Sequence, residues 1–209
     1  KNILKAEGNI KIIDKLNNFD VTGEKVSYDK EKELIEISGK SFSTIDSNYN
    51  FKTEDIIILR NEMIISSDKN AKIIDNKNKT RFEISKFSYS INDKEIKGED
   101  IIINTEYDQP FSDKYFFKSA TLNLLNQNYL AKDIKIDLKK DIFGNNKNDP
   151  RFRGVSSSSK NGITTVDKGI FTSCKKNDKC PPWAIQADKI TYDKNKKQIL
   201  YDNAVVKIY

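Results

Sequence analysis

Two cysteines, Cys174 and Cys180, flank the polar run Lys175, Lys176, Asn177, Asp178 and Lys179, and Pro181, Pro182 and the only tryptophan, Trp183, follow. Two thiolates without a histidine anywhere in the chain cannot complete a tetrahedral metal site, so no metal site is expected. Three arrangements stay open for this pair: a local disulfide, bridges to cysteines elsewhere in a longer protein, or free thiols. A local bridge would stabilise the fold by roughly 2 kcal/mol in the chain-entropy picture. Either kind of bridge implies an oxidising compartment, and the polar loop favours exposure over two thiols buried in a reducing one. Carboxylates are plentiful, but the lack of histidine removes the commonest general base. Asp29 and Asp193 both stand in turn sequences, where a short carboxylate bonds nearby backbone amides. No catalytic residue, cofactor-binding residue or cofactor is therefore expected, and the chain does not read as an enzyme.

These residues must be carried by strands. Alternation of apolar and polar residues dominates, as in Val26-Ser27-Tyr28, Ile35-Glu36-Ile37, Phe82-Glu83-Ile84, Phe87-Ser88-Tyr89, Leu122-Asn123-Leu124, Ile134-Lys135-Ile136 and Val206-Lys207-Ile208. Polar clusters at 29–33, 66–70, 75–80, 92–95, 126–128 and 193–197 punctuate them, at the spacing of about 8–12 residues that marks a sandwich, barrel or solenoid. Ile56-Ile57-Ile58-Leu59 and Ile101-Ile102-Ile103 are apolar on both faces, as central or externally covered strands are. Helix is expected only briefly, near 112–115. Residues 139–162 break the rhythm with Phe143-Gly144-Asn145-Asn146 and four serines at 156–159, and read as a loop-rich insertion, an extended loop or frayed hairpin, within one domain spanning 1–209. The fold class expected is all-β with antiparallel strands.

Composition narrows the functional classes. An apolar share of 36% is below the roughly 45–50% (glycine included) of compact globules, so the apolar residues must line one narrow face. The net charge of +6 would attract an anionic partner, but lysines alternate with acids and solvated strand faces account for most of them. No basic stripe interleaves with stacking aromatics, so nucleic acid is not an expected partner. No run approaches the ~20 apolar residues of a membrane-spanning helix. The chain opens inside a strand pattern, so any export signal is expected to have been removed or to lie outside it.

A segment near the start recurs near the end. Residues 23–35 align without gaps on 187–199, with identities at Lys25/Lys189, Tyr28/Tyr192 and Asp29/Asp193. Self-similarity of this kind marks a repetitive β architecture.

With those residues in hand, a resemblance can be stated. Gly8-Asn9-Ile10-Lys11-Ile12 resembles the G-N-V-x-I strand of the OstA-type periplasmic β-jellyroll, and 23–35 resembles its A-x-x-I-x-Y-D strand and turn. Gly169-Ile170-Phe171-Thr172, Cys174, Trp183, Ala187 and Asn203-Ala204 resemble the jellyroll-to-barrel junction of the LptD (organic-solvent-tolerance) family of lipopolysaccharide-assembly outer-membrane proteins. The resemblance implies an elongated, slightly open OstA-type β-jellyroll on the periplasmic side of a Gram-negative outer membrane. It implies lipopolysaccharide as cargo, received from a periplasmic bridge protein of the same fold and passed to a C-terminal barrel plugged by a lipoprotein. It also implies that the junction cysteines are disulfide candidates, with pairing to the barrel known in the family. Alternatives are the soluble bridge protein itself, or a structural β-solenoid of a surface protein.

Such a carrier has a physical rationale. Exposing one methylene to water costs roughly 0.8 kcal/mol, so an acyl chain of about twelve carbons costs about 10 kcal/mol. An apolar inner face behind a slightly open seam would shelter the chains. The residues expected to line it are Tyr28, Ile37, Phe82, Ile84, Phe87, Tyr89, Ile103, Leu122, Leu124, Ile134, Ile136, Ile185, Ile190 and Tyr192, for each of which ordinary interior packing is the competing role. Gly8, Asn9, Ile10, Lys11, Ile12 and Ile13 form the edge expected to dock the bridge protein by β-augmentation. The strand at 204–209 is expected to lead towards the barrel, and Trp183 to anchor the cysteine segment against the end of the jellyroll.

Overall fold

A computed structural model describes residues 2–176 and 181–209. Among them there are strands and turns but no helix, so the segment near 112–115 is not helical: Lys114 already opens a strand. The strands in chain order are β1 (Ile3–Asp14), β2 (Phe19–Asp29), β3 (Leu34–Ile45), β4 (Tyr49–Leu59), β5 (Ile64–Ser67), β6 (Ala71–Asp75), β7 (Thr80–Ile84) and β8 (Lys86–Ser90). Next come β9 (Glu95–Asn104), β10 (Lys114–Asn123), β11 (Tyr129–Asp137), β12 (Arg151–Lys160), β13 (Ile163–Thr172), β14 (Trp183–Asp193), β15 (Gln198–Asp202) and β16 (Val205–Ile208). All sixteen belong to one antiparallel sheet whose path begins at β1 and ends at β15, so it is not a closed barrel. The all-β, antiparallel class expected from the alternation is what the structure has.

Backbone contacts divide the chain into two compact units, Lys1–Asp100 and Ile101–Tyr209. In the first, the pairing of β1 to β4 is interrupted at one level: between Glu7 and Ile10, Thr22 and Lys25, and Ile37 and Lys40. The backbone turns left-handed there at Gly8 (φ 113°), Gly39 (φ 86°) and Asp55 (φ 53°). Each long strand is thereby bent into two halves, as bulges do when they accentuate local twist. Where β4 spans both halves, its neighbour is split: β5 pairs with Ile57–Leu59 and β6 with Tyr49–Lys52. The halves face one another, because Phe51 at the start of β4 lies 5.9 Å from Phe87 and 5.6 Å from Tyr89 on β8.

The second unit repeats the device. Pairing lapses at Lys118 and Asp133, at Gly154 and Val155, and at Lys168 and Asp188, with φ of 49° at Asp133 and 46° at Lys168. Its halves also meet through rings: Phe117 and Tyr129 at 5.0 Å, Phe152 and Tyr192 at 6.0 Å, Phe171 and Tyr201 at 6.3 Å.

The turns follow the sequence closely. Asp29 Oδ1 accepts the amides of Glu31 and Lys32 at 3.0 and 3.3 Å, and Asp193 Oδ1 accepts those of Asn195 and Lys196, both at 3.0 Å. Both turns close on a left-handed residue, Glu33 at φ 51° and Lys197 at φ 53°. The sequence repeat is therefore a strand, a four-residue Asp-capped turn and a returning strand, and the two aspartates are turn formers.

Residues 139–162, expected as an extended loop or frayed hairpin, divide into a loop and a well-paired strand. Turns and loop occupy 139–150, but β12 begins at Arg151. Its serines fit a strand because β12 is paired on both sides, to β11 and β13, and only alternate residues face inward. Phe152 and Ser157 are buried there, while Arg153 and Ser158 are exposed. Small hydroxyl side chains suit a strand whose interior neighbours are large rings.

Candidate functional site

The inward face of each unit is assembled from the alternation. Along β3, β4, β5, β8 and β9 the inward row runs Ile35, Ile58, Ile65, Tyr89 and Ile96, each next to the other in register and each buried. Of the fourteen expected lining residues all but Tyr28 and Ile185, which are half-buried, are buried. The structure thus brings them to the inner side and packs most of them against protein.

The inner side is uncovered at the free margins. Leu4 and Ala6 of β1 stand opposite Tyr28 and Val26, which stand opposite the buried Ile35 and Ile37, so all share the inward face. Yet Leu4 is 56% exposed, and Val26 and Tyr28 are only half-buried. The same holds in the second unit. Val206 pairs with Ile185 and Ile208 with Trp183, on the face of the buried Phe171, but they are 62% and 84% exposed. Sequence reasoning missed Leu4 and Ala6, although their alternation with Lys5 carried the signal.

The edge residues Gly8, Asn9, Ile10, Lys11, Ile12 and Ile13 lie in β1, which heads the strand order and pairs only with β2 among the described strands. One side of its backbone is therefore a pairing template. Ile10 and Ile12 are half-buried and Ile13 is exposed.

A cleft of about 560 Å³ opens in the first unit, lined by Ala6, Val26, Ile37 and Ile56 as well as by charged residues that include Lys5, Glu7, Lys25 and Glu36. Charges of both signs thus stand beside the aliphatic inward face in this cleft.

The cysteine segment is fastened from outside the packed interior. Asp149 donates its amide to the Ser173 carbonyl at 3.0 Å, and its Oδ2 accepts the Lys176 amide at 2.8 Å. Lys176 Nζ reaches Asp137 Oδ2 at 2.9 Å, and Arg151 donates to the carbonyls of Cys174 and Asp149. Burial pushes the Asp149 carboxyl up, but the Lys176 amide and the Lys140 ammonium outweigh it and hold it below the usual carboxylate range. Thr172 Oγ1 donates to the Trp183 carbonyl at 2.9 Å, and Cys174 Sγ lies 3.8 Å from that oxygen. Trp183 itself opens β14 with its ring 6.1 Å from Phe171. Cys174 is half-buried and carries no bridge to any described residue, while Cys180 lies outside the described residues.

Two interior phenols have no hydrogen-bond partner among the described residues: the hydroxyls of Tyr89 and Tyr192, 0% and 3% exposed. Burial, aided by the nearby Asp113 carboxylate, pushes the Tyr192 phenol up to about 12, and burial with Asp46 raises that of Tyr89 further. Both stay neutral donors at any physiological pH. No group of three or more metal-ligating side chains occurs among the described residues.

No protein-family model matches the chain, and no curated protein matches it.

Proposed function

We propose that this chain is a periplasmic β-jellyroll module that shelters the acyl chains of lipopolysaccharide on their way to the outer membrane. It would receive the lipid from a bridge protein of the same fold and hand it to a membrane barrel. The observation that carries this reading is the inward apolar face left uncovered beside the free β1 edge, at Leu4, Val26 and Tyr28, and again at Val206 and Ile208. A face that continues to the last strand, next to unpaired backbone, suits extension by another sheet of the same kind. The resemblance of 8–12, 23–35 and 169–204 to the OstA and LptD pattern supplies the cargo.

A second reading has its own support. The rings that join the halves within each unit, such as Phe117 and Tyr129 at 5.0 Å in the second, suit a structural β module whose interior admits nothing. Photo-crosslinking separates the two. Benzoylphenylalanine at Leu4 or Tyr28 is expected to form adducts with lipopolysaccharide in cells, and the same probe at the outward, 50% exposed Phe42 is not. Adducts confined to protein at the inward positions would favour the structural module.

A further inference from the structure

The bend leaves each unit with two rows of turns, one at the end of each half-sheet. In the first unit, Asp46 sits in the turn between β3 and β4, at the end of the half that holds Phe51. Lys94 sits in the turn between β8 and β9, at the end of the facing half that holds Tyr89. Lys94 Nζ and Asp46 Oδ2 meet at 2.6 Å, each side chain about 30% exposed. In the second unit, Asp113 precedes β10 at the end of one half, and Lys194 follows β14 at the end of the other. Their charged atoms are 3.5 Å apart, with Asp113 2% exposed. Behind each pair stands a buried tyrosine whose hydroxyl has no partner among the described residues, Tyr89 within the field of Asp46 and Tyr192 within that of Asp113.

We infer that these two ion pairs, Lys94 with Asp46 and Lys194 with Asp113, are latches across a seam through which each unit's interior opens sideways. The tyrosine hydroxyls behind them are the donors that meet the first polar group of an entering amphiphile. Three considerations carry this. The pairs join facing halves and not neighbouring strands, so breaking them releases the two rows of turns from each other without disturbing any ladder. Lys94 and Asp46 are both partly exposed, so that pair's net contribution is small and its opening needs little work, whereas the buried Asp113 makes the second latch the firmer one. A buried phenol without a partner is unfavourable as packed, and its hydroxyl gains a partner only when something polar arrives. The same construction occurs twice, in units that share no residue.

What the seam admits rests on the carrier reading, whereas the latch itself does not. The test is designed to separate them. In a Cys174→Ser, Cys180→Ser background, spin labels on Ser47→Cys and Asn92→Cys report the separation of the two exposed turns of the first unit. Lys94→Met is expected to broaden that distance distribution towards longer values, while Lys94→Arg retains the parent distribution. Stopped-flow uptake of cis-parinaric acid should be roughly fivefold faster in Lys94→Met, the factor a partly exposed ion pair commands. If Lys94→Met leaves both the distances and the rate unchanged, the latch is overturned. If the distances lengthen but no form of the protein takes up the fatty acid, the latch stands and the carrier reading falls.

Discussion

Replacing Phe152 by alanine is expected to lower the stability of the second unit by about 3–5 kcal/mol. Phe152 is 1% exposed and touches both halves of that unit, with Phe171 at 5.0 Å and Tyr192 at 6.0 Å. Removing its ring forfeits the transfer free energy of the side chain and opens a cavity bounded by two other rings. Those rings cannot collapse into it easily, because Phe171 is held in turn by Trp183 and Tyr201 at 6.1 and 6.3 Å. Urea denaturation followed by tryptophan fluorescence reads the effect where it occurs, since Trp183 is the only tryptophan and lies in this unit. The fluorescence midpoint should fall well below that of the parent. An unchanged midpoint would mean that the two halves are not held together by these rings.

The second large effect concerns the bend. Gly154→Val is expected to destabilise by about 1–3 kcal/mol through overpacking. A Cβ at Gly154 would overlap the side chain of Val166 and sit 2.9 Å from the backbone oxygen of Asp167. Val166 is 1% exposed and cannot yield, and the carbonyl belongs to the neighbouring strand. Gly8 offers the contrast. Nothing lies within 4 Å of a Cβ built there, but its φ of 113° is one that side chains rarely adopt. Gly154 is needed for space and Gly8 for conformation. Thermal unfolding by circular dichroism should therefore show a clear loss for Gly154→Val. Retention of the parent transition would show that strands β12 and β13 can separate locally without cost.

The sequence disclosed the strands through alternation and the turns through their aspartates, because both signals are local. Asp29 and Asp193 act within three residues of themselves, so spacing alone reveals them. The strand β12 was hidden because Ser156, Ser157, Ser158 and Ser159 carry no apolar contrast, and only pairing to β11 and β13 makes them a strand. The bend was hidden for a different reason. It is marked by Gly8 and Gly39 in β1 and β3 but by Asp55, Asp133 and Lys168 elsewhere; lysine gives no warning of a left-handed backbone, and aspartates that tolerate one are spread throughout this chain. The inward direction of Ile37, Phe87 or Ile136 was legible in the alternation, whereas the margin at Leu4 and Val206 depends on which strands end the sheet. Nor does composition show that Asp46 and Lys94 face each other, since that follows from folding one half onto the other.

Strand β4 contains its own control for the central claim that the inward face takes up hydrocarbon. Ile56 and Ile58 point inward and are 1% exposed, while Ile57 between them points outward and is 40% exposed. Methyl-labelled isoleucine in the purified protein, loaded with lipopolysaccharide, allows acyl-chain protons to be correlated with each methyl group by nuclear Overhauser spectroscopy. The account predicts cross-peaks from the acyl chains to Ile56 and Ile58 and none to Ile57. Cross-peaks to Ile57 alone, or to none of the three in a sample shown to contain bound lipid, would contradict it.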